Sequence, residues 1–153
     1  MSLAPNLSTQ SHPSAPRWAA LQPGRWSRRV ATAVAALTVL FLLFDAVIHL
    51  LLIPPVVESF TMLGYPLRVV RVIALLELVC LVLYVIPRTS VLGAVLLTAY
   101  LGGAVSAHVR VESPLFSTVL FPVYVAIALW GALLVREPRL LPLFPLRSSG
   151  SRA

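Results

Sequence analysis

Four long apolar runs, each bounded by Arg, Pro or Gly, constrain this chain more than any other feature. They cover residues 30–53, 67–86, 91–109 and 115–135. Each holds about 19–24 residues, the length a helix needs to cross ~30 Å of hydrocarbon at 1.5 Å per residue. The sequence therefore predicts an integral membrane protein with little mass outside the bilayer. In hydrocarbon every backbone N–H and C=O must be satisfied within the protein, which only helices and closed barrels achieve. Continuous Leu, Val, Ala and Ile without strict alternation exclude a barrel. The predicted fold is an all-α, four-transmembrane-helix antiparallel bundle.

The rest of the composition fits that frame. Apolar residues make up 59% of the chain and charged residues 11%, against about a quarter charged in ordinary soluble domains. The net charge of +7 comes from Arg alone, without Lys. These Arg sit at run ends and in the tails, so they read as topology determinants and not as a nucleic-acid surface. Arg17, Arg25, Arg28, Arg29, Arg88, Arg136, Arg139, Arg147 and Arg152 fall on one side of the predicted bundle. Arg68, Arg71 and Arg110 fall on the other. The positive-inside rule then places both termini in the cytoplasm, and the bacterial inner membrane is the expected location.

Residues 1–29, rich in Pro, Ser and Ala, read as a disordered cytoplasmic tail. Residues 30–137 form the membrane domain, and 138–153 a second cytoplasmic tail. The first apolar run is too long for the core of a signal peptide, about 7–15 residues, and is kept as a span. Pro54 and Pro55 end the first helix. Residues 56–66 can hold a short amphipathic helix on the outer surface. Pro122 lies inside the last run and predicts a kink.

The only cysteine, Cys80, excludes an internal disulfide or CxxC pair and reads as a packing residue. Ionisable residues within the spans remain to carry any chemistry, because charge at mid-bilayer is costly and often marks a site. Asp45 and His49 are four residues apart and share a helix face. They read either as a self-satisfied polar pair or as a proton-active or ligand-binding pair. Glu77, near mid-membrane, is either a cross-helix hydrogen-bonding acid or the proton-carrying floor of a site. His108 lies within a turn of the same outer surface. Depth concentrates these groups in the outer half, with Arg71 nearby and Tyr100 as a further hydrogen-bonding group. The candidate pocket is thus Asp45, His49, Arg71, Glu77, Tyr100 and His108, open to the outer face and not a channel across it. Haem between His49 and His108 is disfavoured, because His108 lies too close to the surface to bury a macrocycle. The types of Asp45, His49, Glu77 and His108 suit a metal, but no metal site is assigned. In the third run Ala99, Gly102, Gly103, Ser106 and Ala107 form a stripe of small residues. They are expected to pack helices closely, within one chain or between copies.

The chain resembles the DoxX-like family of small bacterial membrane proteins. The resemblance rests on Leu63-Gly64-Tyr65-Pro66 and on Leu75-Leu76-Glu77-Leu78. It rests most on Ala99-Tyr100-Leu101-Gly102-Gly103-Ala104-Val105-Ser106-Ala107-His108, and with Phe121-Pro122 it covers about residues 33–137. The resemblance implies a four-helix membrane bundle and an association with quinone-linked sulfur oxidation. The expected function is a quinone-interacting or partner-organising subunit of a membrane redox system, not an enzyme on its own. Quinone is the candidate cofactor. The expected partners are lipid, membrane or soluble redox proteins and a second copy of the chain. Two alternatives stay open: a non-enzymatic scaffold whose buried polar residues fix helix packing, and a small-solute transporter.

Overall fold

The computed structural model describes residues 23–143. The tail residues 1–22 and 144–153, with Arg17, Trp18, Arg147 and Arg152, lie outside the described residues. Among the described residues the chain is all-helical, with no strand. The helices are α1 (Arg25–Leu51), α2 (Pro54–Met62), α3 (Leu67–Val85), α4 (Ser90–Arg110) and α5 (Phe121–Arg136). A π-helical turn, Leu115–Val119, precedes α5, and a 3-10 turn, Pro138–Leu143, follows it.

Three stretches are long and apolar enough to cross a membrane: α1, α4 and Leu115–Arg136. The 19-residue α3 matches them in length but carries Arg68, Arg71 and Glu77. Many large apolar side chains face outward, among them Leu37 (70% exposed), Phe44 (62%) and Ile127 (65%). A water-soluble surface does not carry apolar side chains on this scale, and lipid requires them.

α1 contacts α3 and α5, and α4 contacts the same two helices, so the four long helices close a ring. Its centre holds Leu42 of α1, Leu81 and Tyr84 of α3, Ala94 and Leu97 of α4, and Leu129 and Leu133 of α5. Lipid tails are as apolar as these side chains, so close van der Waals packing and interhelical hydrogen bonds hold the core. The buried Tyr84 hydroxyl supplies one such bond, donating to Leu129 O at 3.1 Å. Cys80 packs in the same core.

A close helix approach lies at the α3–α4 turn. Thr89 donates to Leu83 O at 2.8 Å and Ser90 to Pro87 O at 3.2 Å, which satisfies carbonyls at the end of α3. Gly93, one turn into α4, lies directly against α3. A Cβ there would clash with Tyr84 N, and would sit 2.5 Å from Tyr84 Cα and 2.6 Å from Leu83 C. Within the chain, the stripe expected to make this kind of contact does not make it. Gly102 and Gly103 have no heavy atom near a would-be Cβ, and Ala99 and Ser106 are also exposed. Only Ala107 of that set is buried.

Two further expectations are corrected. Residues 25–29, read as tail, are helical, because an apolar run marks the hydrocarbon and a helix can extend past it into the polar layer. Pro122 does not kink a helix interior. It sits in the first turn of α5, where its missing N–H costs no bond. The change of path falls in the π-turn just before it, where Val119 N donates to Pro114 O and Leu120 N to Leu115 O. Pro54 and Pro55 open α2 in the same way. The apolar face of α2, Val56 and Phe60, packs on Val70 of α3. Gly64, with φ +72°, makes the turn back into α3. The Arg110 guanidinium, 6.0 Å from the Tyr65 ring centroid, donates to Leu63 O and ties the end of α4 to this turn.

Candidate functional site

A cavity of about 600 Å³ opens between α1, α3 and α4 and extends to α2 and the start of α5. Most of its wall is apolar, with Ile48, Ile73 and Phe121 among the lining side chains. The small residues of α4 have their place here. Ala99, Gly103, Ala104 and Ala107 line this wall, so their missing side chains make the room that the cavity occupies.

The polar groups gather where α1, α3 and α4 meet. Asp45 and His49 share one face of α1 because they are four residues apart. His49 Nδ1 lies 3.1 Å from Asp45 Oδ2. That is ion-pair distance, but the angle is not that of a hydrogen bond, and Nδ1 counts as a buried atom with no hydrogen-bond partner. Phe60 of α2 meets the His49 ring edge-on at 5.2 Å between centroids. Glu77 of α3 is fully buried, at 0% exposure. Its Oε2 accepts a hydrogen bond from the Tyr100 hydroxyl of α4 at 2.9 Å. Its Oε1 is buried with no hydrogen-bond partner. One potential ligand atom from each of Asp45, His49 and Glu77 lies within 4.8 Å of the other two.

Of the residues expected in the pocket, Asp45, His49, Glu77, Tyr100 and His108 all line this cavity. The first four form the close polar group. His108 stands apart, eight residues beyond Tyr100 and so ~12 Å further along α4 at 1.5 Å per residue. Its Nδ1 pairs with Ser113 Oγ at 3.2 Å. Arg71 is exposed and does not line the cavity. It lies six residues from Glu77, on another face of α3. Sequence reasoning missed the contribution of α2, which brings Val56, Ser59 and Phe60 to the wall. The amphipathic pattern of that segment carried the signal: its buried face needed something to cover.

The arrangement offers a mostly apolar slot lined at one place by two carboxylates, a phenol and an imidazole. It can orient the polar head of an otherwise apolar molecule, and it can hold a cation between its carboxylates.

A family model described as the DoxX-like family matches residues 33–132. No curated protein and no solved structure matches significantly. The family match takes in α1 from its third turn, all of α2, α3 and α4, and α5 as far as Ala132, and it includes the whole polar group. The chain belongs to the DoxX-like family.

Proposed function

We propose that this multi-pass membrane protein binds a small, mostly apolar molecule with a polar head, a quinone being the chemistry that fits best. The observation that carries the reading is the cavity of about 600 Å³, apolar along most of its wall and lined by the polar group Asp45, His49, Glu77 and Tyr100. Ligand sites are typically ~300–1,000 Å³, mainly apolar, with a few convergent polar groups. A quinone carbonyl needs a donor, which a ring N–H of His49 supplies, since the Tyr100 hydroxyl already donates to Glu77 Oε2. The ring and a short isoprenoid stretch need the apolar wall.

The same reading makes α3 the fourth span of an antiparallel bundle. Arg68 and Arg71 lie near its start, where long side chains reach headgroups. Glu77 is then the only charge along the rest of its length, and Tyr100 shares it. The Arg distribution, nine against three, supports cytoplasmic termini in a bacterial inner membrane. A membrane or soluble redox protein would be the partner that exchanges electrons with the bound molecule.

A second reading treats the polar group as a helix-register device. The Tyr100–Glu77 bond between α3 and α4 favours it. The two readings separate on purified protein. Extraction of the detergent-solubilised chain, followed by mass spectrometry, should yield a stoichiometric quinone or related lipid. Glu77→Gln should lose it while melting within a few degrees of the parent. A parent that carries no such molecule, and a Glu77→Gln variant indistinguishable from it, would leave the register device as the account.

A further inference from the structure

We propose that Asp45, His49 and Glu77 form a three-ligand site for a divalent transition-metal ion, with its remaining coordination positions facing the cavity. The proposal needs no organic ligand and stands if the cavity takes none.

Three observations carry it. One atom from each side chain lies within 4.8 Å of the other two. Ligand atoms around one ion at ~2.0–2.2 Å bond lengths lie ~3–4 Å apart, so small side-chain rotations complete the site. Two polar atoms of this group also lack a hydrogen bond. Glu77 is fully buried, and neither its Oε1 nor His49 Nδ1 has a hydrogen bond. A buried carboxylate oxygen without a donor is costly, and a cation supplies the missing interaction. Finally, two carboxylates stand together with no Arg side chain among the described residues lining the cavity. A divalent ion neutralises them without help from the surface.

The donor set selects the ion. One imidazole and two carboxylates suit Zn²⁺, Mn²⁺, Fe²⁺ or Co²⁺. No thiolate lines the cavity to favour Cu⁺, and three side chains fall short of the six to eight oxygens that Ca²⁺ takes. Tyr100 acts one step out. Its hydroxyl holds Glu77 Oε2 at 2.9 Å and leaves Oε1 for the ion, the orienting role that outer hydrogen bonds play around metal ligands.

The test uses the untagged full chain in detergent, stripped with EDTA and titrated with Co²⁺. Visible absorption and calorimetry follow binding, and Zn²⁺ serves as competitor. One ion per chain is expected, with displacement by Zn²⁺. His49→Ala and Glu77→Gln should each abolish saturable binding. Tyr100→Phe should weaken it about 10–100-fold, as loss of an outer partner does elsewhere. A parent that takes up no stoichiometric ion overturns the proposal, and so does a folded His49→Ala or Glu77→Gln variant that binds like the parent. Should those variants fail to accumulate, X-ray absorption at the cobalt edge of the parent decides. A shell of one imidazole with carboxylate oxygens supports the site, and an all-oxygen or multi-imidazole shell overturns it. Quinone is titrated separately into stripped and loaded protein, so failure of the cavity reading and failure of the metal site are distinguishable.

Discussion

Glu77 is a fully buried acid within a helix of mainly Leu, Val, Ile and Ala, and its two oxygens fare differently. Tyr100 satisfies one, and the other is buried without a hydrogen-bond partner. Removing the Tyr100 hydroxyl leaves both oxygens without a donor. Tyr100→Phe should therefore destabilise the protein by about 1–3 kcal/mol, the cost of an unsatisfied buried acceptor, read as a lower melting temperature in detergent. An unchanged melting temperature would mean that the bond contributes nothing. Much of this was legible in the sequence. Asp45 and His49 share a face by spacing alone, and Glu77 stands out as an isolated acid in an apolar run. Rotation about the helix axis was not legible for Arg71, because a helix that is apolar nearly all round announces no inward face. His108 lines the cavity, but its position along the third run says nothing of a local partner such as Ser113.

At the scale of elements, glycine placement shows what the sequence leaves open. Small residues on a membrane helix fit two opposite situations, a neighbour pressed close or a space left empty. Gly93 is the first case, and Gly103 the second. Only the position of α3 tells them apart. Gly93→Ala should force α4 away from Tyr84 and Leu83, at ~1–3 kcal/mol for overpacking. It should lower the melting temperature more than Gly102→Ala, which meets open space. Equal melting of the two variants would contradict the close approach. Tyr84→Phe should cost less, about 1 kcal/mol for one interhelical hydrogen bond to Leu129 O. The break before α5 was legible as a proline but not as a π-turn, because the proline marks where a helix begins as readily as where it bends.

At the scale of the whole molecule, the apolar runs and the Arg pattern predict a topology that fusions can read. Reporter fusions at Gln10 and Pro145 should both report cytoplasm. One periplasmic signal would contradict an even number of spans. The central claim, however, concerns the cavity, and Gly103 gives direct access to it. A Cβ there meets no heavy atom within 4 Å, and a leucine should project into the space that the ligand would fill. The most direct measurement is equilibrium binding of a short-chain quinone to purified parent and Gly103→Leu, with melting followed in parallel. The account predicts saturable binding by the parent, weakening of about tenfold or more in Gly103→Leu at the 1.4 kcal/mol per decade of affinity, and unchanged melting. Equal binding by both proteins, or no saturable binding by the parent, would contradict it.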